Sequence, residues 1–219
     1  MSAIVVVLLV SSLMGLCSAC CTPAQWEGQL SAIAGRAEGA RHEVILEFGE
    51  VSYDATNNRS VIVLSFKGGK IDDTMKILTR YDNSSSGKQY VLDFKTGKCN
   101  ILELRTPFRR LCIPAEAKRI GNFTLGLSPA LKGTAFAAGG KDVNVFVTVQ
   151  ELDNDTCVPV SESLYGRFGK ADVVETIAFI NITPGIKNET VFDVPAQCKK
   201  ADESTFPYLR SRDHYIMAI

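Results

Sequence analysis

The chain has 219 residues, with 24 basic side chains against 24 acidic ones, 46% hydrophobic residues and only 8 prolines. Such a composition is that of a folded globular protein able to bury a sizeable core, not of a chain that is disordered by default. The cancelled charge, with no Lys/Arg cluster, argues against DNA, RNA or a strongly anionic membrane as partner.

Residues 1–19 read as a signal peptide. The start is uncharged, Ile4 to Val10 form an apolar run, and the small-residue stretch Ser11 to Ala19 follows. The run is well short of the roughly 18 apolar residues that a transmembrane helix needs. Cleavage after Ala19 leaves Cys20, Cys21, Cys99, Cys112, Cys157 and Cys198, an even set that permits three disulfides in an oxidising compartment. Cleavage after Cys20 and a lipid anchor on Cys20 both stay open. Cys17 and Cys20 straddle the processing site, which disfavours a redox motif. N-x-S/T sequons stand at Asn58, Asn83, Asn122, Asn154, Asn181 and Asn188, in agreement with secretion.

Along the mature chain the dominant period is two, the signature of strands. Glu43 to Phe48 and Ser60 to Phe66 predict a hairpin joined through Tyr53 to Asn58. Tyr90, Leu92 and Phe94 share a face and lead through Lys95-Thr96-Gly97-Lys98 into Cys99 to Leu104, a second hairpin. Val143, Val145, Val147 and Val149 alternate with Asn144, Phe146, Thr148 and Gln150, and Val173 to Ile182 gives a further long strand ended by Pro184-Gly185. Val61 to Leu64 and Ile177 to Ile180 are apolar on both faces, so they need cover on each side or one face lining a cavity. With no repeat and no long linker, a single domain over 20–198 is favoured, followed by a tail over 199–219.

Enzyme signatures are absent. His42 and His214 are the only histidines, and no G-x-S-x-G, H-E-x-x-H, Walker loop or dinucleotide fingerprint occurs. Asp153-Asn154-Asp155 starts like a calcium loop, but Cys157 takes the next ligand position, which excludes an EF-hand. Asp54, Asp72 and Asp73 are weak candidates for Ca²⁺ in loops, against the plainer role of solvated turn residues.

Several segments carry a specific likeness. Cys20 to Gly28 reads C-C-T-P-A-Q-W-E-G, Tyr53-Asp54 is followed by Asn58-Arg59, and Tyr90 to Cys99 reads Y-V-L-D-F-K-T-G-K-C. Pro107-Phe108, Ile113-Pro114, Cys157 to Val160, Pro184 to Ile186, Val191-Phe192, Val194-Pro195 and Cys198 follow in order. The chain thereby resembles the ependymin-related proteins over about residues 20 to 198. The resemblance implies an all-β, mainly antiparallel fold: curved sheets forming a sandwich or half-barrel with an apolar pocket, similar to bacterial lipoprotein carriers. It also implies secreted glycoproteins linked to calcium and cell-matrix contact, and the pairs Cys20–Cys157 and Cys99–Cys198. Cys21 and Cys112 are left over, in place of the third bridge of vertebrate members.

The expected function is a secreted binder of lipids or other hydrophobic molecules, with no catalysis. The alternative is a calcium-binding matrix adhesion glycoprotein without a pocket. A homodimer is compatible with either, as is a destination in the extracellular space or the lysosomal lumen. The pocket lining is drawn from Val61, Val63, Leu92, Phe94, Val145, Val147, Phe179 and Ile180. Alternation alone does not tell a filled core from a hollow one.

Overall fold

In the computed structural model, which describes residues 20–200 apart from 69–70, 83–85, 141 and 154, the strands join into one antiparallel sheet. The predicted signal segment, residues 201–219 of the tail and the sequons at Asn83 and Asn154 lie outside the described residues. The first meander is β1 (Gln25–Glu38), β2 (Arg41–Asp54), β3 (Arg59–Gly68), β4 (Ile71–Tyr81), β5 (Gly87–Asp93) and β6 (Cys99–Leu104). The second is β7 (Lys118–Leu125), β8 (Leu131–Gly139), β9 (Val143–Glu151), β10 (Cys157–Phe168) and β11 (Ala171–Pro184). Their order across the sheet is β6-β5-β4-β3-β2-β1-β11-β10-β9-β8-β7. Consecutive strands therefore pair throughout except β6 and β7, and at the centre β1 meets β11.

That order dictates the rest. β6 and β7 are the two edges of the sheet, so residues 105–117 must travel from one edge to the other. They do so across one face, which we call the inner face. Leu111 packs with Trp26, Tyr53 and Ile62 from the first meander. Ile113 packs with Phe136, Val147 and Val149 from the second. The backbone of this segment is paired as well: Thr22 N donates to Leu111 O at 2.8 Å, and Ile113 N donates to Cys20 O at 2.8 Å. Leu111 N donates to the Tyr53 hydroxyl oxygen at 3.1 Å. Around this end Tyr53 stacks on Phe108 at 5.9 Å, and Tyr81 meets the same ring edge-on at 5.5 Å.

The opposite, outer face is covered over β3–β6 by the chain after β11. Residues 185–200 form a strap with two short 3-10 turns, Glu189–Phe192 and Cys198–Lys200. Phe192 packs with Val61 and Leu78, with Tyr90, Val191 and Val194 alongside. Lys76 Nζ donates to Val191 O at 2.7 Å. The Arg59 guanidinium lies 4.1 Å from the centre of the Phe192 ring and is paired with Glu189. The strap explains why β3 is apolar on both sides: Ile62 and Leu64 belong to the inner core, while Val61 is sealed beneath Phe192.

Three disulfides fasten these coverings to the sheet. Cys20 is bonded to Cys157, Cys21 to Cys112, and Cys99 to Cys198. The first two come from adjacent residues and clamp the crossing segment and the start of β10 to one point; the third ties the strap to β6.

Loss of the strap's bridge is a direct test of this account. It closes a separation of 99 residues, for which the chain-entropy model gives about 4 to 5 kcal/mol. A Cys99→Ala, Cys198→Ala protein is expected to melt at clearly lower temperature and to lose amide-exchange protection first under residues 185–198. Unchanged melting and unchanged protection would contradict the strap's structural role.

Candidate functional site: the inner face of the sheet

Strand register brings residues distant in sequence into rows on the inner face, because directly paired residues of neighbouring strands share a face. One row runs Phe66, Glu47, Ala32, Ile177, Glu162, Val147 and Phe136 across β3, β2, β1, β11, β10, β9 and β8. All seven are buried. Asp73 and Arg119 end this row on β4 and β7. The next row, towards the end of the sheet away from the crossing segment, runs Ile45, Ala34, Glu175, Leu164, Val145 and Ala138. Beyond it Val173 and Val143 are half-buried and Arg36 and Glu43 exposed. The inner face is therefore plugged at its Trp26 end and grades to solvent at the other.

Two acids stand in this apolar setting. Glu162 and Glu175 are 1% and 4% exposed. Glu162 pairs with Ile177 and Glu175 with Leu164, so the two are diagonal neighbours on adjacent strands. Both carboxyl oxygens of Glu162 and Oε1 of Glu175 have no hydrogen-bond partner. Burial, with the neighbouring Glu175 charge second, pushes the Glu162 carboxyl up to about 8; burial also raises that of Glu175. The charged form is costly in a medium of low polarity, so each acid holds its proton above the usual carboxylate range. Glu47, 2% exposed, is three strands away from Glu162, about 14 Å by the usual strand spacing. Among the described residues no three His, Cys, Asp or Glu side chains converge on a metal site.

Of the predicted lining residues, Val145, Val147 and Phe179 are on this face. Val61, Val63, Leu92 and Ile180 point to the outer face, and Phe94, half exposed, lies past the end of β5. The correction has a simple cause. Strands apolar on both sides offer two candidate inner faces, and only the strap, invisible to alternation, decides between them. Glu162, Glu175, Leu164 and Phe136 are absent from the predicted lining. The signal for Glu175 is present in the sequence: Val173, Glu175, Ile177 and Phe179 share one phase, which places an acid among apolar side chains.

The calcium candidates are not brought together. Asp54 is fully buried, and its carboxylate accepts from Gln25, from the backbone and side chain of Asn57, and from Arg59 at 2.7 to 3.1 Å. These bonds outweigh burial and lower its pKa; they organise the β2–β3 turn, where Asn58 takes a positive φ. Asp72 and Asp73 lie in β4, paired with the far end of β3, about eight residues of strand away from Asp54, roughly 26 Å. Being successive, they point to opposite faces. Among the sequons, Asn122, Asn181 and Asn188 are exposed and Asn58 is half-buried. Asn188 also caps the turn Glu189–Phe192 through its side-chain oxygen.

The chain has recognisable relatives. The Ependymin family model matches residues 70–198. Over 158 residues, 68% of this chain and 76% of the relative, the sequence is 27% identical to ependymin-related protein 1 of Haliotis asinina. Among solved structures, an uncharacterised conserved protein from Thermus thermophilus is similar over 80% of this chain and 88% of its own, with a TM-score of 0.47 and 10% identity. A DUF1329 family protein from Desulfovibrio piger is similar over 78% and 90%, with a TM-score of 0.31 and 6% identity.

The buried acids couple stability to pH. Because the folded-state pKa of Glu162 is raised, the folded protein holds a proton that the unfolded chain releases. The associated stability is full below about pH 4.5 and is lost as pH climbs towards about 8. Each unit between those values is worth roughly 1.4 kcal/mol. Melting temperature is therefore expected to fall across that window, and Glu162→Gln to flatten the decline. A flat profile in the unaltered protein would show that the acid is not buried as described.

Proposed function

Because the chain belongs to the ependymin family, we propose that it is a secreted, disulfide-bonded glycoprotein that carries a lipid or other hydrophobic molecule against the inner face of its sheet, by binding and without catalysis. The observation that carries this reading is the shape of that face. It is largely apolar across seven strands with Glu47, Glu162 and Glu175 set in it, closed at one end by residues 105–117, and grades into half-exposed Val145, Val143 and Val173 at the other. Ligand sites are mostly apolar clefts with a few polar groups set among them, and this face has that composition. Three disulfides suit an oxidising compartment, and the exposed sequons suit passage through a secretory pathway. No helix among the described residues is long and apolar enough to cross a membrane. A calcium-binding adhesion role gains no support from Asp54, whose oxygens are taken by protein donors.

The test is uptake of a fluorescent fatty-chain probe by delipidated protein. Saturable binding, displaced by unlabelled lipid, is expected. Val145→Arg, on the inner face near its open end, is expected to weaken it by about tenfold or more, while Tyr165→Arg, on the outer face, leaves it unchanged. Folded protein that takes up no probe saturably would overturn the proposal.

A further inference from the structure

Resting on the carrier reading above, we propose that Glu162 and Glu175 form the polar end of the binding site and that the site takes a long-chain primary amine, its ammonium seated between the two carboxyl groups. The geometry of the pair points to this chemistry. The two acids are diagonal neighbours on β10 and β11, both above nine-tenths buried, and three of their four oxygens accept no hydrogen bond. A buried acceptor left unpaired costs about 1 to 3 kcal/mol. Packing alone gives no return for that cost, since Leu or Met would fill the same positions.

Each acid brings at most one O–H of its own, so the remaining oxygens still require donors. An alkyl ammonium offers three N–H groups from one compact charge, and charge-assisted bonds to carboxylate are the stronger kind. A fatty acid brings a third carboxyl group to two already buried, with one donor at best and a like charge once ionised. An alcohol supplies a single donor and no charge. Apolar side chains for the aliphatic chain to lie against stand on either side of the pair: Ile177 and Leu164 are the directly paired residues, and Val145 and Val147 flank them on β9. Of the neighbouring strands, β1 places Ala32 and Ala34 beside the pair and β8 Phe136 and Ala138, while Arg36, exposed and ion-paired with Glu38, stands diagonal to Glu175 one row towards solvent. Glu47 lies beyond β1, with Asp73 and Arg119 at the row's ends.

Binding of the ammonium releases a proton from the pair, as Glu–COOH becomes Glu–COO⁻ beside R–NH₃⁺. Charge is conserved by transfer of that proton to solvent, and affinity therefore rises with pH while the amine remains protonated.

The experiment compares dodecylamine, dodecan-1-ol and dodecanoic acid as displacers of the fluorescent probe, with calorimetry of dodecylamine in buffers of different ionisation enthalpy. Dodecylamine is expected to bind at least about tenfold more tightly than dodecanoic acid near neutral pH, and to release protons on binding. In Glu162→Gln, Glu175→Gln protein, whose amides keep the shape of the acids, the preference and the proton release are expected to vanish while probe binding persists. Equal affinity for amine and acid, or a preference that survives the double substitution, overturns the proposal and leaves the carrier reading standing. Failure of the probe to bind the unaltered protein overturns both.

Discussion

The segment between β6 and β7 has to span the whole sheet, and the rest of the architecture follows from how it is held there. Its anchor is the pair of adjacent cysteines at the start of the described chain. Cys21 reaches Cys112 in the crossing segment and Cys20 reaches Cys157 at the head of β10, so one point of backbone joins the first strand's approach, the crossing and the second meander. The Tyr53 hydroxyl adds a side-chain acceptor for Leu111 N in a place water does not reach. An orphaned amide there would cost about 1 to 3 kcal/mol, comparable to a sizeable share of a domain's net stability. With the crossing fixed, Leu111 serves the core of the first meander and Ile113 that of the second. A sheet whose halves meet only through β1 and β11 thereby gains a second connection, and the inner face is closed at one end but not at the other.

The outer face is divided differently. Over β3–β6 it is sealed by the strap, and the seal is mixed in character: Phe192 supplies apolar contact, Lys76 bonds a strap carbonyl, and Arg59 touches strap and turn together. Arg59 bonds Asp54, which in turn orders the turn leading into β3. The acid that resembles a metal ligand in the sequence is thus the internal counter-charge of the arginine that docks the strap. Among the described residues, nothing covers the same face over β2, β1, β11 and β10. Ile33, Leu46, Phe48, Val174 and Tyr165 are each more than half exposed, a concentration of apolar surface rare on a protein that meets only water.

Much of this is legible in the sequence where a strand has one apolar phase. Val143 to Gln150 falls within one residue of the limits of its strand, and Tyr90 to Phe94 overlaps a strand that starts three residues earlier and ends one residue sooner. β1, β4, β7, β8 and β10 carry no comparable signal. β1 is built largely from Gly, Ala, Gln and Glu around Trp26 and Leu30, and β8 from small residues around Phe136, so each has a single β-branched side chain, Ile33 and Thr134, rather than the run of them that announces a strand. In β10 the anomaly is Pro159, which sits where the pairing with β9 shifts register; a proline is tolerated at a bulge because no ladder bond is demanded of it. The hardest case is β2. Val44, Leu46 and Phe48 form the more apolar phase, yet they face out, while Ile45, Glu47 and Gly49 face in. Local pattern chooses one face, and the pairing with β1 chooses the other. Sheet register is a tertiary decision, and a one-residue slip would exchange every side chain of the strand.

The same reversal marks where the fold departs from what packing alone would select. A strand that turns Glu47 inward and Phe48 outward, beside two more strands that turn Glu162 and Glu175 inward, is not optimising burial. For a chain with only one sheet to make a core, three buried acids are a heavy concession, since a domain's net stability is the small remainder of large opposing terms. Departures from local consistency of this kind concentrate at functional sites. Here they fall on one face, in two adjacent rows, at the depth where the crossing segment stops and solvent has not yet begun. Asp54 makes the contrast clear: it is as deeply buried as the glutamates, but its carboxylate is met by donors from the protein, so its cost is returned within the fold. For Glu162 no donor among the described residues returns it.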